Sequence, residues 1–533
     1  MEGYKHLQTF FPTLTKVFRL GKWNAGGDEI WMDTRWRIVG IDCSGTAGPC
    51  TVTLKSNKDA SGTSLRTQRA FLKTTHLLDP IHWIQGDYSL PKENGMPWHH
   101  KAWQKAWQKL QDPGNQAYID SVAAYSLGRI REEDLSPHFN IFYGSFCARA
   151  DKYRYNLTDD FGSYRHERWF WKGHNKNLFA IKVVNIENPE EPVSPEVMKE
   201  VLQQYGNSQS GSDSDSSEEL DEISLEEDEA ASIHSADSMS DVSFAASAIP
   251  ESEDDDGDDT HNIYAEIANY PVMLIITEES NGTMDALFEN HEEVGCKPGT
   301  AGWDARWSAW TFQIIAALSC AQSLLGFTHN DLHTNNILWS KTDMEYVVYT
   351  TRAGNYFKVP TFGKIFRIID FGRAIFTINK YQFISDDFKA GNDAEGQYVF
   401  SPLCQKVTKQ IPPNPSFDLS RLAVSMIDGI YPMKPASRKN GCVLSSEKDL
   451  VVYETESPLY NLLWKWMVDD NGKNIFVNAD GSERFPAFDL YKHIAEFIHS
   501  AIPSQQIFAE AFSEFQVEAS IFPSDQKKYS LFC

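Results

Sequence analysis

An α+β fold is predicted, with strand-like apolar runs and longer stretches of helical spacing. Three observations carry this. Alternating or continuous apolar runs recur early, as in RAFLKTTH and YPVMLIIT, the patterns of half-buried and fully buried strands. Later stretches such as GWDARWSAWTFQIIAALSCAQSLL and FDLYKHIAEFIHSAI have helical spacing. A tract of Ser, Asp and Glu interrupts the strand-rich part and buries too little apolar surface to offset chain entropy.

The 533 residues allow roughly two to four domains, and 41% hydrophobic residues with 15 Trp suit a large packed core. The eight Cys are scattered without a C-x-x-C, so reduced thiols in an intracellular, cytoplasmic setting are expected. No apolar run reaches the roughly eighteen residues of a membrane span, and the first twenty residues lack a signal-peptide core. No membrane association is therefore expected. Net charge is −25, but residues 211–260 hold 19 Asp and Glu with no Lys or Arg, so most of the field belongs to that tract. Such a balance argues against nonspecific nucleic-acid binding and suits basic partners.

The stretch with the most chemistry is FTHNDLHTNNILW, residues 327–339. It contains His329, Asp331 and, five residues after the Asp, Asn336. IIDFG follows after an apolar run, with Asp370, Phe371 and Gly372. One carboxylate, Asp331, is placed to take the proton of an incoming hydroxyl. An amide oxygen, Asn336, and a second carboxylate, Asp370, are suited to magnesium ions that bridge ATP phosphates. H-x-D or D-F-G alone is a weak signal. Both in order, with the Asn and an apolar strand before each, form a strong one.

These residues resemble the protein-kinase-like superfamily, and together with VPTFGKIFRIIDFGRAI they look most like the protein kinases of large DNA viruses. The resemblance implies a two-lobed fold, a β-rich N-lobe and an α-rich C-lobe carrying insertions. It also implies ATP and Mg2+ as cofactors. Two departures stand out. Asn330 occupies the place of the usual Arg, so an activation-segment phosphate would lack that partner. His333 occupies the place of the usual Lys, and the N-D-L-H loop is similar to those of small-molecule phosphotransferases and some atypical kinases.

On this resemblance the chain divides into a segment that either packs on the small lobe or acts as a leader (1–30), an N-lobe (31–280), a C-lobe (281–517) and a tail (518–533). The N-lobe holds a folded insertion at about 147–206 and the acidic insert, expected to be disordered, at 207–260. From Trp36 the sequence reads as strand, turn, strand, and Gly40, Gly45 and Gly48 either admit phosphates close to the backbone or belong to a plain hairpin. Lys73, after an alternating run, is the candidate phosphate-binding lysine. Lys182, in NLFAIKVVN, is its competitor by letters, but Lys73 precedes the fourth-strand segment SPHFNIFYGSF as the pattern requires. Trp103 and Trp107 lie four apart on a helix expected to bury both, and His99 and His100 read as surface residues.

YIDSVAAYSLGRIREEDL has helical spacing, and its Asp120 is either the acid that pairs with Lys73 or an exposed charge. YPVMLIIT runs into Thr277–Glu279, where the backbone of Glu278 and Glu279 is expected to meet adenine. Residues 302–329 read as a long amphipathic helix feeding the Asp331 loop, with Trp303, Trp307 and Trp310 in the core. MEYVVYTTRAGNYFKVPTFG suggests an extra hairpin, and Asp418 matches the acid that braces the catalytic loop, or caps a helix.

The reading is phosphoryl transfer from ATP to Ser or Thr hydroxyls of a protein. The alternatives are an aminoglycoside- or choline-like small-molecule kinase, motivated by His333, and a pseudokinase scaffold.

Overall fold

The computed structural model describes residues 1–17, 34–43, 47–57, 65–91, 101–186, 193–204, 261–404, 409–519, 522–523 and 526–532. Gly45, His99, His100, the acidic insert and parts of the predicted leader and tail lie outside them.

The architecture is mixed α+β. A curled antiparallel sheet of seven strands comprises β1 (Tyr4–Gln8), β2 (Trp36–Asp42), β3 (Gly48–Ser56), β4 (Leu65–His76), β5 (Phe142–Asn156), β6 (Ala180–Asn185) and β7 (His261–Glu278). The order is β1-β5-β7-β4-β3-β2, with β6 pairing the first part of β7. β7 is the spine, and its sequence explains why. Its first half alternates between buried and partly exposed residues, and its second half, YPVMLII, is buried throughout. Successive residues of a strand face opposite sides, so Met273 and Ile275 pack with the Gln116–Glu132 helix. Val272, Leu274 and Ile276 enter a second core on the other face.

The Gln116–Glu132 helix begins at Asn115, whose side chain accepts the Ala117 N–H, an N-cap that satisfies a free donor of the first turn. Gly128 lets β5 approach: a Cβ there would lie 2.9 Å from the Phe142 Cβ. Residues of the predicted leader are built into the fold, because β1 is the sheet edge and Phe11 and Leu14 are buried.

A second region gathers around the Ala301–Leu325 helix, opened by Thr300 as N-cap and closed by Gly326 at φ 57°. It is not amphipathic as the spacing suggested. Trp303, Trp307 and Trp310 are fully buried, and so is nearly every residue from Trp307 to Ala321. Later strands and helices wrap it on all sides, which removes the need for a polar stripe. By length and composition this helix is apolar enough to cross a membrane, although no unbroken apolar run reaches that length, and 78% of its most apolar window is buried inside the protein.

Against it lie β8 (Gly282–Thr283), β9 (Ile337–Lys341) and β12 (Lys364–Ile368), ordered β12-β9-β8. The inserted hairpin is β10 (Tyr346–Thr350) and β11 (Tyr356–Pro360). Part of the predicted tail, Tyr529–Ser530, pairs with β10. The helices Phe417–Ile430, Pro458–Trp466 and Asp489–Phe497 complete the region.

One expectation fails on the Lys101–Gln111 helix. Ala106 is buried, whereas Trp107 is 65% exposed. The covered stripe runs through Trp103, Ala106 and Leu110, and Trp107 falls on its outer edge.

Candidate active site

The loop holding Asp331 is braced from beneath. Asp418, fully buried in the first turn of the Phe417–Ile430 helix, accepts the His329 N–H at 2.9 Å and the Asn330 N–H at 2.9 Å. Asn330 sits at φ 67°, a left-handed conformation that Asn tolerates better than most residues. Its side chain donates to the Arg373 carbonyl at 2.8 Å and accepts the Tyr398 hydroxyl at 2.8 Å. His329 Nε2 donates to the Ile369 carbonyl at 2.8 Å, and the Ile369 N–H reaches the Asn336 carbonyl at 3.0 Å. These bonds bring the Asp331 loop against Asp370, which lies next along the chain at φ 64°.

Lys73 lies on the other side of Asp370. Its Nζ is 2.7 Å from Asp120 Oδ2 and 2.8 Å from Asp370 Oδ1. The other Asp120 oxygen accepts the Phe371 N–H at 2.9 Å. One buried carboxylate thus joins the Gln116–Glu132 helix, β4 and the Asp370 turn. Burial opposes the Lys73 charge, but Asp120 and Asp370 outweigh it and hold the ammonium above its ordinary pKa. Burial also opposes the Asp370 charge, yet Lys73 drives that carboxyl down to about 2. The Asp120 side chain is only 4% exposed and that of Asp370 is 41%, so Asp370 alone of the two is open to a ligand.

Asp331 is surrounded by cations and donors. Burial opposes its charge, but Arg373, His333, Tyr491 and Arg421 keep the carboxyl below its ordinary range. Burial lowers His333 to about 4, leaving it neutral at pH 7. The Asn336 amide donates to the Asp331 carbonyl at 2.9 Å and lies 3.0 Å from His333 Nε2, so the His333 proton belongs on Nδ1. Among the described residues Asn336 Oδ1 makes no hydrogen bond, which leaves an amide oxygen for a ligand.

The other candidates are placed as follows. Gly48 opens β3 at φ 139°, with nothing within 4 Å of a built Cβ. Glu279 pairs with Arg69 through two bonds of 2.5 and 2.7 Å. The Glu278 N–H donates to the Ile141 carbonyl, so that amide is engaged within the protein rather than offered to a base. Lys182 is exposed on β6 opposite Tyr264, whereas Lys73 is opposite Ile275. Eleven residues of β7 separate them, about 36 Å, so Lys182 is remote from Asp370.

Several residues at the site had no sequence signal. Arg373, Arg421 and Tyr491 surround Asp331 from three separate segments. Asp386 ties the segment after Gly372 to the start of the Asp120 helix: its Oδ1 accepts the Gln116 N–H at 3.0 Å, and Lys109 pairs with Oδ2 at 2.7 Å. The approach needs Gly114, where a Cβ would lie 2.9 Å from the Ile384 carbonyl oxygen.

No group of three or more His, Cys, Asp or Glu residues suited to a metal occurs among the described residues. The oxygens of Asp370 and Asn336 nevertheless fit Mg2+, which takes one or two protein oxygens and completes its shell with phosphate and water. Lys73 beside them fits a phosphate.

No family model matches the chain. It is distantly homologous to a probable serine/threonine-protein kinase of Invertebrate iridescent virus 6, a large DNA virus, with 25% identity over 216 residues. The match covers 39% of this chain and 35% of that protein, so the chain spans about a third of the relative's length.

Proposed function

We propose, with that homology as premise, that the chain is a two-lobed kinase transferring the ATP γ-phosphoryl group to protein Ser or Thr hydroxyls. The observation that carries the reading is the Lys73 ammonium held between buried Asp120 and open Asp370, with Asp331 and Asn336 joined to the same turn. Asp370 and Asn336 would hold magnesium, which neutralises charge between the phosphates when bound. Lys73 would bind phosphate oxygens, with Asp120 holding it in place. Asp331, ionised at neutral pH, orients the incoming hydroxyl and takes its proton. Phosphoryl transfer needs little more than this positioning and charge.

A second reading, a small-molecule kinase, is favoured by one observation: neutral, buried His333 stands where a protein kinase has a cation. The acceptor separates the two. Incubation with labelled ATP and magnesium, followed by mapping of labelled Ser and Thr, is expected to show protein transfer that Asp331→Ala and Asp370→Ala each abolish without loss of folding. Turnover only on amino alcohols, sugars or aminoglycosides would select the second reading. Mutants as active as the parent would reject both. The free thiols of the described cysteines support an intracellular setting.

A further inference from the structure

The Asp489–Phe497 helix carries no motif, yet it delivers a hydroxyl to Asp331. Tyr491 donates to Asp331 Oδ1 at 2.7 Å and accepts from Arg421 Nε at 3.0 Å. Its ring is held by Phe488, stacked at 5.2 Å, and by Phe417 at 5.8 Å. Arg421 stands one turn after Asp418 on the Phe417–Ile430 helix. That helix therefore acts on the Asp331 loop twice: Asp418 fixes the backbone, and Arg421 fixes the phenol that fixes the carboxylate.

We infer that Tyr491 is a positioning residue for phosphoryl transfer, holding one oxygen of Asp331 so that the other faces the acceptor hydroxyl. The inference rests on the kinase reading above. Its physical basis is a competition. Arg373 Nη1 lies 3.8 Å from Asp331 Oδ2, too long for a hydrogen bond but close enough to attract. With Oδ1 held by Tyr491, the carboxylate stays out of full contact with that guanidinium. Without the phenol, the hydrogen bond that holds Oδ1 is gone, rotation toward Arg373 is eased, and the acceptor hydroxyl meets a misplaced base. Burial raises the Tyr491 phenol above its ordinary pKa, so it remains a donor at neutral pH. Arg373 is also held at 3.5 Å by Asp387, which keeps it where it is.

The test compares parent, Tyr491→Phe, Asp331→Asn and the double variant, using labelled ATP with magnesium and self-transfer as the readout. Tyr491→Phe keeps the ring and its packing. It is expected to lower kcat about tenfold to a hundredfold, the scale of a small misplacement at a reacting centre, with the KM for ATP unchanged within about twofold. In the Asp331→Asn background the same change is expected to cost nothing further, because Tyr491 acts through that carboxylate. A merely structural role would lower both backgrounds alike. Equal rates for parent and Tyr491→Phe, additive losses, a rise in rate, or phosphate found on Tyr491 would each overturn the inference; the last two would make the phenol a plug or an acceptor. Should Tyr491→Phe fail to fold, Arg421→Met releases the phenol from its other end, with the same fall in kcat expected and parent-like rates refuting it. A parent without Asp331-dependent transfer removes the kinase reading and this inference together. An active parent matched by Tyr491→Phe removes this inference alone.

Discussion

Replacing Asp120 by Asn tests how Lys73 is held. The carboxylate serves two donors at once, the Lys73 ammonium at 2.7 Å and the Phe371 N–H at 2.9 Å. Asn has one acceptor oxygen. If it meets Phe371, its NH2 faces the ammonium; if it meets Lys73, its NH2 faces the amide hydrogen. Either way one charge-assisted bond is lost, worth roughly 1.5–3 kcal/mol net. The loss falls unequally on two states. Without nucleotide, Lys73 keeps Asp370 at 2.8 Å. On the proposed function, Asp370 would be engaged by magnesium in the nucleotide complex, leaving Asp120 as the carboxylate partner of Lys73. Removing a negative charge also eases repulsion with the phosphates, by about 1 kcal/mol across a partly wet cleft. The net effect is a weakening of ATP binding by about tenfold, since about 1.4 kcal/mol is a factor of ten. Titration with a fluorescent ATP analogue and magnesium measures it, and a urea midpoint checks that folding is kept. Affinity within about twofold of the parent would refute the assignment of Asp120 as the partner that Lys73 needs.

Two other predictions follow from burial and position. Lys182→Ala is expected to leave ATP binding unchanged, whereas Lys73→Met abolishes it; a loss in the first variant, measured by the same titration, would show that the β7 register misassigns the lysine. His138 is buried, with its ring nitrogens on the Phe366 carbonyl and the Tyr349 hydroxyl, and burial lowers it to about 3. Its folded pKa is below the unfolded value near 6.5, so its stabilisation is complete above that pH and is lost as pH falls toward 3. By pH 4 the loss is about 3 kcal/mol, and His138→Gln is expected to flatten that part of the urea-midpoint profile; an unchanged slope would refute the role.

Asp331, Asn336 and Asp370 were legible because the geometry of such a loop is mostly local. Asn336 reaches the Asp331 carbonyl across five residues, and the strands on either side announce themselves by apolar runs. Chain order also favoured Lys73 over Lys182, although the letters around Lys182 look more familiar. The continuous apolar run that predicted a buried strand in the second half of β7 is likewise a property of neighbouring residues, and so is the alternation that predicted the hairpin of β10 and β11. Trp107 and the Ala301–Leu325 helix mark where this stops. Spacing says which residues share a face, not how many faces other elements will cover.

What the sequence determined by itself was the set of candidate groups, Asp331, Asn336, Asp370 and Lys73, and the order in which the chain presents them. Only tertiary structure decided which carboxylate would be sealed against Lys73 and which left open, since Asp120 and Asp370 differ in exposure and not in chemistry. It alone brought Tyr491 to Asp331 across 160 residues and Asp386 to the start of the Asp120 helix. The physical reason is range. Backbone spacing constrains contacts within a turn or a strand pair, whereas contacts between distant segments depend on how whole helices pack, a sum over many side chains that no single motif encodes.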